Sequence, residues 1–297
     1  PLASVFPIEG EGIPQPQEIS YKERNEYRPT VKFAKPLVFI PIFPGTNGEY
    51  DAELAFSKAG AAVETMVVRN LTPVHLEESI EALAKKIQKA NIIMLPGGSG
   101  EPVDTGKHIS TLFRHPRLKE AIMELLSERD GLILGIGSGF QALVRLGLLP
   151  YGEIRDFVDD SIALTTNKIG RHVSTMVNTK VVSTLSPWFR GMEVGDIHTI
   201  PVSSGEGRFV AKPEVLQGLI QKGQIPTQYV DSQGKASGES KYNPFGSMEA
   251  IEGITSPDGR VFGKMGHSER TGVQVAINIS GKKVQNIFGN GVNYFRS

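Results

Sequence analysis

The chain has 297 residues, 39% of them hydrophobic and 22% charged, which is enough for one large α/β domain or two small ones around a sizeable core. Its formal net charge of zero gives no reason to expect nucleic acid or an anionic membrane surface as a partner, and no apolar run approaches the roughly 20 residues of a membrane span. The absence of cysteine excludes disulfides, thiolate metal sites and a cysteine nucleophile.

Residues 1–35, rich in Pro, Glu and polar side chains, read as a linker or an arm lying on another surface. Their start, PLASVFPIEGEGIPQP, lacks the charged and apolar regions of a secretory leader, so a cytoplasmic protein is expected. From residue 37 the pattern changes to short apolar strands alternating with amphipathic helices. LVFIPI (37–42) predicts a strand, a helix follows near 50–59, and AAVETMVV (61–68) predicts the next strand. Ile80, Leu83, Ala84 and Ile87 fall on one helical face. NIIMLP (91–96) predicts a strand that ends in the loop GGSGEPVDTG. Leu118, Ile122, Leu125 and Leu126 mark another helix, GLILGI a strand and SGFQALVRLGLL a helix. This alternation argues for a mostly parallel sheet with helices on both faces. Such sheets carry function in the loops at their strand carboxyl ends, here 43–51, 96–106 and 136–139.

After residue 150 the texture becomes β-rich, with SIALTT, HVSTMV, KVVSTL, TIPVSS, RFVA and TQYVD around one helix, KPEVLQGLIQKG. Residues 250–270 read as a hairpin turning at PDG and ending in a loop with His267 and Glu269. The tail GKKVQNIFGNGVNYF reads as a closing helix broken near Gly289 and Gly291.

GLILGIGSGFQAL (131–143) is strand, tight turn and helix start, the build of a nucleophile elbow with Gly137 at its tip. Read alone, it is either a glycine-rich turn or an elbow without its nucleophile. A non-glycine residue held there at positive φ would cost on the order of 1–3 kcal/mol, which glycine avoids. Ser138 comes one place late for G-x-S-x-G, so it is expected to cap the helix through a backbone N–H. His267 and Glu269 have the spacing of a general base and its orienting carboxylate, or of a surface ion pair. The glycines of PGGSG could present N–H groups to an oxyanion or a phosphate, but no G-K-[ST] follows to make a P-loop. The other histidines, His75, His108, His115, His172 and His198, read as surface or structural, and none has a metal-binding spacing such as HExxH, so no metal is expected.

Taken together, FIPIFPGTNGEYD, IIMLPGG, GFQALVRLGLLPYGEIRD, IGRHVSTMV, VGDIHTIPVSSGEGRFVA, PTQYVD and AIEGITSPDGRVFGKMGHSER resemble the class I glutamine amidotransferases, most of all the glutaminase domains of phosphoribosylformylglycinamidine synthases. The resemblance covers nearly all of residues 36–297 and implies one flavodoxin-like α/β domain, mostly parallel sheet with helices on both faces plus a β-rich second half. It looks like the form fused to a large synthetase polypeptide, which makes residues 1–35 the connector. In the family an elbow cysteine attacks the glutamine amide, a histidine relays protons, a glutamate orients the histidine, and the ammonia passes to the synthetase. The resemblance therefore implies glutamine as substrate and a synthetase domain as partner. It implies no cofactor in this domain, ATP and magnesium belonging to the synthetase.

Carried over, Gly137 stands where the cysteine is missing, His267 and Glu269 match the histidine and glutamate, and Gly97, Gly98, Ser138, Gln141 and Ser204 fall in the substrate site. The departures gather at that site. The family elbow G-I-C-N-G-F-Q is G-I-G-S-G-F-Q here, VSHGEGR is VSSGEGR with Ser204 in place of histidine, and the loop after Gly98 looks a few residues short. These departures predict loss of amide hydrolysis. A non-catalytic glutamine-binding or regulatory module, an active glutaminase carrying an engineered substitution, and a hydrolase using Ser138, Ser203 or Ser204 with His267 are the alternatives.

Overall fold

The computed structural model describes residues 15–26, 28–98, 104–156 and 162–296. The first half alternates as expected: β1 (Leu37–Ile42), α1 (Glu49–Lys58), β2 (Ala62–Val67), α2 (Pro73–Ile87) and β3 (Ile92–Leu95). Two helices then follow in succession, α3 (Thr105–Phe113) and α4 (Pro116–Ser127), before β4 (Leu132–Ile136) and α5 (Ser138–Leu146). Helix α3 is short, and three of its five buried positions, Thr105, Gly106 and Ser110, are small residues beside Ile109 and Phe113. It starts where the Asp104 carboxylate accepts the Lys107 N–H at 2.9 Å. The second half adds β5 (Ala163–Thr165), β6 (Val173–Val181), β7 (Ile197–Ser204), β8 (Arg208–Val210), α6 (Pro213–Gln221), β9 (Thr227–Val230), β10 (Ile251–Thr255), β11 (Val261–Lys264) and α7 (Ile287–Tyr294).

Among the described residues, nine strands form one sheet in the order β2-β1-β3-β4-β11-β10-β9-β6-β7, and β5 pairs with β8 apart from it. The strands from β2 to β11 in that order are parallel. From β11 onward the neighbours are antiparallel. Alternate residues of the central strands enter different cores, as a pleat requires. Ile93, Leu95 and Ile133 pack with Leu83, Ile109, Phe113 and Ile122 on one face. Ile92, Met94, Leu132 and Leu134 pack with Ala52, Phe56, Ile287 and Val292 on the other. Burying each such large side chain contributes roughly 1.5–3 kcal/mol, so both helical layers are held against the sheet.

The closing helix corrects one expectation. α7 runs unbroken through Gly289 and Gly291. A Cβ on Gly291 would lie 2.4 Å from the buried Trp188 ring, so this glycine marks a close approach between helix and ring and not a break. The arm is described only in part. Residues 15–26 and 28–34 lie along this same domain: Tyr21 N–H donates to Val182 O at 2.8 Å and Phe33 N–H to Phe295 O at 2.9 Å. Among the described residues, no helix is long and apolar enough to cross a membrane.

Candidate active site

Three parallel strands deliver the expected residues to one end of the sheet. β3 leads to Gly97 and Gly98, β4 to Gly137 and β11 toward His267. β11 lies directly beside β4 with Lys264 opposite Ile136, and the Lys264 carbonyl accepts the Gly137 N–H at 2.9 Å. Because the two strands are parallel, their carboxyl ends face the same way. That pairing joins residues far apart in sequence into one site.

The turn at the end of β4 has the elbow geometry. Gly137 adopts φ 55° and ψ −112° at the position just before α5. Ser138 departs from its expected role. It is the first residue of α5, and its hydroxyl donates to the Gly98 carbonyl at 3.2 Å in place of capping the helix. The elbow occupies the cap position with a backbone that carries no side chain, so the serine instead ties the turn to the loop after β3. Gln141, one turn on, is buried and donates to the Glu206 carbonyl at 2.8 Å.

His267 and Glu269 form a buried pair, with Nδ1 and Oε1 2.7 Å apart. The carboxylate only accepts, so Nδ1 carries the proton and donates it. The His267 backbone N–H donates to Pro201 O at 2.8 Å, which seats the loop on β7. The other end of the ring points toward the elbow: a Cβ on Gly137 would lie 3.8 Å from His267 Cε1 and 4.0 Å from Nε2. A Cβ on Gly97 would lie only 2.8 Å from Cε1, so the imidazole occupies space that glycine leaves open.

These groups border a cavity of about 430 Å³ that contains Gly97, Gly98, Gly137, Ser138, Gln141, Ser204 and His267 in its wall. All the carried-over residues except Glu269, which stands behind His267, therefore meet in one place. The cavity also exposes Ser203, an alternative nucleophile in the sequence reading, with His172, read there as surface or structural, and Asp104, Arg171 and Glu206, which that reading left without a role. Four of them, all but Asp104, lie in IGRHVSTMV and SSGEGR, segments whose charge pattern alone does not separate them from an ordinary solvated face. Ser203 Oγ lies 2.9 Å from His172 Nε2, and Ser204 Oγ accepts the Glu206 N–H at 3.0 Å. The hydrogen bonds of these two hydroxyls thus lead away from His267, and those of Ser138 lead to Gly98. His172 is exposed, as its surface reading expected, and also lines the cavity. Burial pushes the Asp104 carboxyl up, but the Arg145 guanidinium at 2.7 Å and the Lys107 N–H outweigh this and hold it below its ordinary value. Residues 99–103, the part of the oxyanion loop that looks short, lie outside the described residues. Among the described residues, no group of three or more His, Asp or Glu side chains is placed to hold a metal ion.

Residues 35–295 match the family described as CobB/CobQ-like glutamine amidotransferase domain. The chain is similar to the phosphoribosylformylglycinamidine synthase subunit PurQ of Aquifex aeolicus, with 31% identity over 233 residues that cover 78% of this chain and 89% of that protein. The subunit of the same name from Methanococcus maripaludis is 34% identical over 240 residues, covering 80% of this chain and 82% of the relative. Among solved structures, PurLQS from Thermotoga maritima superposes with a TM-score of 0.60 at 25% identity, covering 88% of this chain and 99% of the matched one.

Proposed function

The chain belongs to the CobB/CobQ-like glutamine amidotransferase domain family, and from that premise we propose that it is the glutaminase part of a phosphoribosylformylglycinamidine synthase whose amide-hydrolysing step is lost at residue 137. The purine-pathway assignment is supported by relatives that carry the synthase subunit name and align over most of their length. The partner is then the synthetase polypeptide, which binds ATP and magnesium, and the setting is the cytoplasm.

The loss of hydrolysis rests on one observation. Gly137 holds the elbow conformation beside His267, and it carries no side chain. In an intact site Nε2 of His267 would take the proton of the nucleophile, Glu269 would stabilise the resulting imidazolium, and backbone N–H groups after β3 and at the elbow would hold the oxyanion. Here the pair has only water to activate, and removing a covalent nucleophile costs several orders of magnitude in rate. The domain then acts as a structural or regulatory cover on the synthetase, which draws on free ammonia.

The test uses the assembled synthase. With ammonium salts it is expected to aminate its ribonucleotide substrate, and with glutamine as sole nitrogen donor it is expected to fail. Equal rates with both donors would refute the proposal.

A second reading, that the cavity binds glutamine without turning it over, is favoured by its polar wall, in which Gln141 is fixed by the Glu206 carbonyl. Titration calorimetry with glutamine checks it. Heat with a saturable isotherm supports binding, and its absence at millimolar ligand removes this reading while leaving the first intact.

A further inference from the structure

Lys264 ends β11, yet it is fully buried. Its ammonium donates to Ser268 Oγ and to Gln285 Oε1, both at 2.6 Å, and lies 3.6 Å from Glu252 Oε1. Two of its protons are thus donated in hydrogen bonds, and Glu252 is its ion-pair partner. Desolvation pushes the Lys264 ammonium toward neutrality, and Glu252 and Glu269 oppose that by favouring its charged form.

The partners of this ammonium are the residues that frame the histidine. Ser268 stands between His267 and Glu269. Gly266, on the other side of His267, donates its N–H to Glu252 Oε1 at 2.7 Å, and the second Glu252 oxygen accepts from Thr227 Oγ1. The loop carrying the pair is thus held on one side by Glu252 and on the other by Lys264. Glu269 adds a second requirement. Its Oε1 is taken by His267, whereas its buried Oε2 has no hydrogen-bond donor among the described residues. A buried carboxylate oxygen in that state needs a nearby positive charge. The Lys264 ammonium, joined to the residue before Glu269 through Ser268 Oγ, attracts this carboxylate.

We propose that Lys264 is the positioning residue of the His267–Glu269 pair, its buried ammonium fixing Ser268 between the two and compensating the Glu269 oxygen left without a hydrogen bond. The same ammonium anchors the exposed segment that runs from Arg270 to Val284, because that segment leaves from Glu269 and returns to Gln285. The Lys264 ammonium is not part of the cavity wall, which the residue meets only through its carbonyl on Gly137, so its side chain acts through its neighbours. The spectroscopic test below does not depend on the proposed function, and only the turnover arm rests on it.

The test is proton NMR of the full chain, reading the downfield Nδ1–H signal of His267, assigned by its disappearance in His267→Gln. The unmodified chain is expected to show it, and Lys264→Met to lose it. Lys264→Met leaves Glu252 without its counter-ion, so the double variant Lys264→Met/Glu252→Gln separates positioning from simple charge imbalance. The double variant is expected to keep native near-UV circular dichroism and still lack the signal; a folded double variant that retains the signal unchanged overturns the proposal. Ser268→Ala changes no charge, removes the hydroxyl that accepts from Lys264 and donates to Gln285 Oε1 at 2.8 Å, and is expected to speed exchange of this proton with water by at least about tenfold. Unchanged exchange in Ser268→Ala contradicts the proposal whatever the lysine variants do. In a Gly137→Cys background, Lys264→Met is expected to lower kcat with KM unchanged, and an equal loss in both would point to general loosening.

Discussion

A Cβ built on Gly137 would stand 4.0 Å from Nε2 of His267, with the Cα of Gly97 its nearest neighbour at 3.6 Å. The place for a nucleophile is open, and the obstacle to filling it is the backbone, held at φ 55°. Gly137→Cys and Gly137→Ala are both expected to fold and to lose on the order of 1–3 kcal/mol in urea denaturation. Of the two, Gly137→Cys alone is expected to raise ammonia release from glutamine. Equal release by both would mean that the His267–Glu269 pair cannot activate a thiol.

Gly97 sets where the imidazole stands. A side chain there meets Cε1 at 2.8 Å, so Gly97→Ala must displace the ring. The variant is expected to lose about 1–3 kcal/mol of stability through overpacking. Combined with Gly137→Cys, it is expected to reduce ammonia release by roughly 10²-fold relative to Gly137→Cys alone, the cost of a displacement near 1 Å at a reacting group.

Two helical glycines are expected to respond in opposite directions to alanine. In α6, a Cβ on Gly218 would find nothing within 4 Å, so Gly218→Ala is expected to stabilise by roughly 0.5–1 kcal/mol. In α7, a Cβ on Gly291 would strike the Trp188 ring at 2.4 Å, so Gly291→Ala is expected to destabilise by about 1–3 kcal/mol despite the same gain in helix propensity. Thermal unfolding of both variants checks the sign.

His198 makes stability depend on pH. Burial, with Lys282 and Lys264 nearby and Asp196 opposing, pushes its imidazole down from 6.5 to about 4. Between those values the unfolded chain binds the extra proton and the folded chain does not. Stability therefore falls as pH is lowered from about 6.5 toward 4 and this contribution is constant below that, a loss of about 3 kcal/mol. Asp258 titrates lower still: burial raises it, but Ser256 and Arg260 hold its carboxyl below 3.8, and its contribution is lost beneath the histidine window. Urea titrations across pH 7 to 4 are expected to show the slope in the unmodified chain and a flatter one in His198→Leu.

The parallel half was legible because its strands are short continuous apolar runs, and such runs in β3 and β4 are buried at every position. The nearness of His267 to Gly137 was not legible from any local pattern. It depends on β11 inserting beside β4, a pairing of distant segments that only the family resemblance suggested. Ser138 misled because a serine at a helix start ordinarily caps, whereas here the elbow backbone turns its hydroxyl to Gly98. Lys264 was invisible for a related reason. A lysine closing an apolar strand reads as a solvent-facing end, and the groups that bury it, Glu252, Ser268 and Gln285, become its neighbours only in the folded chain.

The most direct measurement is prolonged incubation of the unmodified chain with glutamine, followed by an ammonia assay and intact-mass analysis. Ammonia at the level of a protein-free control and an unchanged mass are expected, because residue 137 offers no atom to acylate. Sustained ammonia release, or a mass increase corresponding to a γ-glutamyl adduct, would contradict the loss of the hydrolytic step.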